Sequence, residues 1–203
     1  MDIYYIGGSP CSGKSTIAEM LTSEYGFAYY KADDFLDKHM QQAAEEGKLH
    51  SATTLKMSNN QMWMRDPQLQ KEEEIAIYKE IFQYALDDIK NIRHTKVIAE
   101  AAGFMPQLMA KEGISHNRYI CIVPTESFQR KKYAERPWIN VFLQGCEEPD
   151  IAFDNWMSRD VLFAQEMLRK AKEHGYEYFV TDGNCGIEET YGMVVKTFAL
   201  SPY

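Results

Sequence analysis

The chain has 203 residues, of which 45% are hydrophobic and 26% charged, with a formal net charge of −8 and a pI near 5.2. That length suits one α/β domain with a sizeable core and room for a small inserted subdomain. The acidic balance disfavours a nucleic-acid backbone as partner, no apolar run approaches a membrane span and no targeting segment is evident, so a soluble, cytoplasmic protein acting on a small molecule is expected, as monomer or homodimer.

In chain order, Asp2–Ile6 is apolar and β-favouring, and Lys14–Tyr25 carries helical periodicity, with Ile17, Leu21 and Tyr25 on one face. Between them Gly8-Ser-Pro-Cys-Ser-Gly-Lys-Ser15 spells a complete phosphate-binding loop. A polyphosphate needs several donors converging on one anion, and a short glycine-rich loop supplies backbone N–H groups most densely. Gly8, Ser9, Cys11, Ser12, Gly13, Lys14, Ser15 and Thr16 are therefore the candidate nucleotide-binding residues. Lys14 reaches the β and γ phosphates, and the Ser15 hydroxyl is a hard oxygen ligand suited to Mg²⁺. The helix that follows turns its positive dipole end toward the anion.

Gly26 stops the first helix, and a second strand is predicted at Phe27–Lys31, ending on Asp33 and Asp34. Further strands are predicted at 96–100, 118–123 and 177–180, separated mostly by helical segments, the alternation of a parallel sheet covered on both faces. About sixty residues, 35–94, separate the second and third strands, more than a single crossover needs, and predict a helical insert. Its clearest helix follows Pro67 and carries a stripe of Ile75, Tyr78, Phe82, Ala85 and Ile89. The charge run Lys71–Glu74 reads as its solvated start.

Ligands of open α/β sheets bind beyond the carboxyl ends of the strands, which singles out Asp33, Asp34 and Glu100. One such carboxylate is suited to taking a proton from a substrate hydroxyl and another to holding Mg²⁺. An N-cap at Asp33 or Asp34, or a structural hydrogen bond from Glu100 to the loop, is the plainer alternative. Later come Arg130, Lys131, Lys132 and Arg136 after the fourth strand, then Arg159, expected at or just before the start of another helix. Arg136 and Arg159 are the stronger candidates for cations brought in by a lid; Lys131 and Lys132 read as solvated. Arg65, in Met62-Trp-Met-Arg-Asp66, suits an acceptor's phosphate or carboxylate, or else pairs with Asp66. Cys11, Cys121, Cys146 and Cys185 are too scattered for a zinc site, and the histidines lack metal-ligand spacing.

Taken together, these pieces resemble the P-loop kinase group that contains nucleoside monophosphate kinases, shikimate and gluconate kinases and chloramphenicol phosphotransferase. The matching parts are the loop Gly8–Ser15, the acidic end Asp33-Asp-Phe35 of the second strand, the insert 35–94 and a region from Arg136 to Arg159. The resemblance implies a three-layer α/β/α fold with a five-stranded parallel sheet of order 2-3-1-4-5, an acceptor-binding insert and a lid over 130–160, all within one domain over 1–203. It also implies ATP and Mg²⁺ as cofactors, Asp33 as base and a metal-side group beside Ser15, Arg136 or Arg159 as lid arginine, and Asp182-Gly183-Asn184 against adenine. The chain departs from the group in lacking a clear aspartate at the end of the third strand, where Glu100 stands in, and no Asn-Lys-x-Asp guanine signature is present. The expected activity is phosphoryl transfer from ATP to a small-molecule hydroxyl or phosphate. An ATP-binding switch, or less favourably a polynucleotide-end kinase, is the alternative.

Overall fold

The computed structural model describes residues 1–201. Five strands, β1 (Asp2–Gly7), β2 (Ala28–Lys31), β3 (Lys96–Glu100), β4 (Tyr119–Pro124) and β5 (Glu177–Thr181), form one parallel sheet of order β2-β3-β1-β4-β5. The order agrees with the one that the resemblance implied. The register aligns the strand ends: Glu100 of β3 is opposite Ile6 of β1 and Lys31 of β2. The loop after β1, the turn after β2 and Glu100 therefore emerge on one edge of the sheet.

Side chains alternate between the two faces with the period of two that a strand imposes. Tyr4, Ile6, Ile98, Ile120 and Ile122 face α1 (Lys14–Tyr25) and the later helix Ile187–Thr197, packing with Ile17, Leu21, Val194 and Phe198. Tyr5, Val97, Ala99, Tyr119 and Cys121 face the other way, into a larger core with the insert. The insert comprises a 3₁₀ turn (Ala32–Phe35), α2 (Leu36–Glu45), α3 (Leu49–Thr54), α4 (Asn59–Trp63) and α5 (Pro67–Lys90). Asp66 accepts hydrogen bonds from the Gln68 and Leu69 amides and Pro67 occupies the first turn, so α5 begins where its cap and proline dictate. Tyr78, Phe82, Ala85 and Ile89 are buried along it, with Ile75 partly so.

After β3 come α6 (Pro106–Lys111), β4, α7 (Glu126–Ala134), α8 (Ile139–Phe142), α9 (Pro149–Glu173), β5 and α10 (Ile187–Thr197). Four strands shift by one residue from expectation: β1 runs on to Gly7, β2 begins at Ala28, β4 runs from Tyr119 to Pro124 because Arg118 ends a 3₁₀ turn, and β5 runs on to Thr181. A larger correction concerns Arg159. It lies well inside α9 because Pro149 and Asp150 start that helix earlier than the irregular stretch before it suggested. Among the described residues no helix is long and apolar enough to cross a membrane.

Candidate active site

The turn from β1 to α1 is built by its glycines. Gly8 has φ +130°, and a Cβ there would run into the backbone carbonyl of Ile122 on β4. Gly13, at φ +87°, closes the loop onto the helix from the left-handed region, and Cys11 also has positive φ, at 64°. The curled main chain leaves Ser9 and Ser12 buried with hydroxyls that lack a partner among the described residues. Lys14 is buried, its Nζ donating to the Ser9 carbonyl at 3.0 Å. Orphaned donors and a cation curled around a helix N-terminus fit a polyphosphate. Thr16 is exposed on the first turn of α1.

Glu100 is buried at the end of β3, where one oxygen, Oε1, accepts hydrogen bonds from Ser15 Oγ at 2.8 Å and Tyr29 Oη at 2.9 Å. Burial first, and then the neighbouring Glu100 charge, raises the Tyr29 phenol well above its ordinary value, so it stays a donor. No group of three or more acidic, histidine or cysteine ligands occurs among the described residues. A hydroxyl plus a carboxylate is the sparse protein contribution that suits Mg²⁺, which keeps its waters and takes phosphate oxygens.

Asp33, in the 3₁₀ turn after β2, accepts a hydrogen bond from the Ala102 amide at 3.2 Å. The residue is exposed to solvent, while protein crowds its carboxyl from the other sides. That dehydration pushes its carboxyl up to about 6, against the opposing pull of Lys14 and with further help from Glu100. Its neighbour Asp34 takes a different course, pairing with Lys31 at 2.9 Å on the exposed side.

Beyond Asp33 lies a pocket of about 470 Å³ between the insert and the segment leading into α9. Arg65 lines it, its Nε donating to the Met62 carbonyl at 3.4 Å; Asp66 is occupied in capping α5 and does not pair with it. Arg159 also lines the pocket, 12% exposed, with Glu74 at 3.0 Å and Asp160 at 2.6 Å and its guanidinium over the Trp63 ring. Burial disfavours that charge, but the two carboxylates more than offset it and hold the guanidinium above its usual pKa. Burial pushes Glu74 up to about 7 despite the opposing Arg159 charge, with Asp160 adding to the rise. The expectation that Lys71–Glu74 is simply solvated fails at Glu74, which has a side chain 13% exposed. One signal was available: Glu74 precedes Tyr78 by four residues and so extends the buried stripe of α5.

Arg136 follows α7, stacked on Tyr133 at 5.0 Å and Trp138 at 5.5 Å, close enough to Cys11 for its charge to oppose the effect of burial on that thiol. Arg130 instead pairs with Glu126 and Asp154, and Lys132 with Glu135. The segment from Trp138 to Glu147 rests on the insert: Asn59 donates to the Gln144 carbonyl at 3.0 Å, and Asn60 accepts from the Glu147 amide at 2.9 Å. Asp182 and Gly183 are exposed after β5, where Asp182 accepts from the Asn184 amide at 2.8 Å and Gly183 lies against the Phe128 ring. The α10 residue Ile187 reaches back toward Gly13, where an added Cβ would lie 3.2 Å from its Cδ1, which puts this segment beside the loop after β1.

No family model matches the chain, and no curated protein matches it in sequence. Solved structures do match in fold. TT1252 from Thermus thermophilus is similar over 99% of this chain and all of its own, with a TM-score of 0.52 and 15% identity. Shikimate kinase from Acinetobacter baumannii, solved in complex with shikimate, is similar over 98% of this chain and 92% of its own, with a TM-score of 0.52 and 16% identity. The fold is that of the P-loop kinases.

Proposed function

We propose that the protein is an ATP- and Mg²⁺-dependent kinase that phosphorylates a hydroxyl of a small molecule. The observation that carries this reading is the position of Asp33. Its carboxylate is within electrostatic reach of Lys14 and Glu100 on the phosphate-loop side and of Glu74 and Tyr78, which line the insert pocket, on the other. A base must touch both halves of a phosphoryl transfer, and this one borders both.

Bound ATP·Mg²⁺ would supply an activated phosphoryl group whose charge the metal neutralises. The loop from Gly8 to Thr16 holds the phosphates, with Lys14 exchanging its bond to the Ser9 carbonyl for phosphate oxygens. Ser15 and Glu100 form the metal side, and Tyr29 orients the Glu100 carboxylate. Asp33, expected earlier to share the metal, is better placed as base: a carboxyl near 6 is ionised at neutral pH and more basic than a free aspartate. Arg136 serves as the lid cation, since among the described residues it has no carboxylate partner and is stacked beside the loop. Arg159, committed to Glu74 and Asp160, shapes the acceptor pocket. Asp182 and Gly183 flank the base of the nucleotide. The insert 35–94 then holds the acceptor and 130–160 covers it.

The test is acceptor-dependent conversion of ATP to ADP across pools of nucleosides, sugars and amino-alcohols, with Lys14→Ala and Asp33→Asn as controls. Tight ATP binding without any acceptor-dependent turnover would replace the kinase with a nucleotide-governed switch.

A further inference from the structure

Two stretches of chain that meet only in the fold supply the pocket beyond Asp33: the insert from α2 to α5, and the run from Trp138 into α9. Its charges come in both signs, Asp37, Glu73 and Glu74 against Arg65 and Arg159. Its buried polar atoms without a partner among the described residues are mixed too, donors at Trp63 and Trp156, acceptors at Gln70 and Glu74. Polarity therefore selects no ligand here, and the apolar lining has to.

All three tryptophans of the protein, Trp63, Trp138 and Trp156, line the pocket together with Phe142. Trp63 and Trp156 are each 5% exposed and stack face to face, ring centres 4.3 Å apart and planes 13° from parallel. That buried pair is the footing of the wall. Trp138 and Phe142 lie against Trp156 at 6.1 and 5.9 Å and edge to face with each other at 5.6 Å, yet stay 41% and 46% exposed. Rings left half in water within a concave site are surface that a ligand covers.

The insert adds Met40, Met57 and Met62, with Leu36 and Leu55. A thioether is polarizable, makes favourable contacts with ring edges and adapts its shape to what lies against it. An aromatic wall favours another ring in offset or edge-to-face contact. Both linings suit the same guest, a flat π-system, and a volume of about 470 Å³ accommodates one with substituents.

Resting on the kinase reading, we infer that the phosphoryl acceptor is an alcohol built on an aromatic or heteroaromatic ring, with Trp138 and Phe142 as the side chains that select it. Leu36 and Tyr78 line both this pocket and the small cavity that Asp33 borders, so the hydroxyl end of the guest is directed that way. There the hydroxyl oxygen bonds to the γ-phosphorus of ATP, its proton passes to Asp33 and ADP leaves.

The experiment uses the full chain saturated with Mg²⁺ and ADP. It reads intrinsic fluorescence, since every tryptophan lines the pocket, with calorimetry as a second readout. Three probes are titrated: thymidine, a phenyl-substituted propanediol and myo-inositol, the last a ring alcohol without an aromatic face. Saturable binding of thymidine or the phenyl diol is expected, at least about tenfold tighter than that of inositol. Phe142→Ala should weaken it about tenfold with ADP affinity unchanged. Val141→Ala, next to it on α8 but 58% exposed and outside the pocket lining, should bind as the parent does. Equal or tighter binding of inositol, no binding of either aromatic probe, or the same loss in both variants overturns the inference. Failure of the kinase reading looks different: the aromatic probes bind as expected and no ADP forms from ATP with either.

Discussion

Ser15 Oγ and Glu100 Oε1 are 2.8 Å apart although 85 residues separate them, and the register of β1 against β3 brings them together. The contact ties the phosphate loop to the one carboxylate that ends β3. If Glu100 governs the metal, Glu100→Gln should raise the Mg²⁺ concentration needed for half-maximal turnover by about tenfold or more, with nucleotide affinity in the absence of Mg²⁺ little changed. Tyr29→Phe removes the other donor to the same oxygen and should shift that requirement by a smaller factor. A metal titration of both variants checks the order.

Asp33 makes a prediction about pH. With its carboxyl near 6 in the free protein, kcat/KM should fall as pH drops through about 6, and not near 4 as for an ordinary aspartate. Asp33→Asn should lose on the order of 10²–10⁴ in turnover while ATP binding persists. Stability should move the other way. A carboxyl whose pKa is raised on folding costs stability wherever it is ionised, so Asp33→Asn should melt at a higher temperature than the parent above pH 6. That advantage should fade as pH falls toward 4, where the parent is protonated too. Melting curves at pH 4 and 8 decide it.

The loop predicts its own fragility. Gly8→Ala puts a methyl group onto the Ile122 carbonyl at a backbone angle closed to alanine. A loss of about 2–4 kcal/mol, with nucleotide binding gone, is expected by denaturant titration and calorimetry.

Arg136 and Arg159 should separate cleanly. Arg136→Ala is expected to lower kcat by about 10²–10³ with little change in ATP affinity or folding, because the side chain lies over Tyr133 and Trp138 at the cleft edge. Arg159→Ala leaves Glu74 and Asp160 buried without their cation and should cost about 3–5 kcal/mol of stability. Kinetics and melting of the two variants side by side test the division.

What the sequence made legible was local. Gly8–Ser15 is contiguous, and its chemistry requires a strand before it and a helix after it, so β1, the loop and α1 could be read directly. The α5 stripe was equally plain, since buried residues recur every three or four positions. Sheet order came from resemblance and not from any residue pattern. The pocket beyond Asp33 was hidden because its parts meet only in three dimensions: Trp63 stacks on Trp156 from another helix, and Arg159 finds Glu74 between α9 and α5. Periodicity describes one element at a time, and a buried ion pair between two elements leaves only a faint mark on each.

On the kinase reading, Asp33 joins a triphosphate site to an acceptor pocket. It is tested most directly by following ³¹P transfer from ATP, with Mg²⁺, to the alcohols of the acceptor pools, in the parent and in Asp33→Asn. A phosphorylated alcohol and stoichiometric ADP are expected from the parent, and bound but unreacted alcohol and ATP in the variant. Equal product from both, or ATP and alcohol bound together by the parent without transfer, would contradict it.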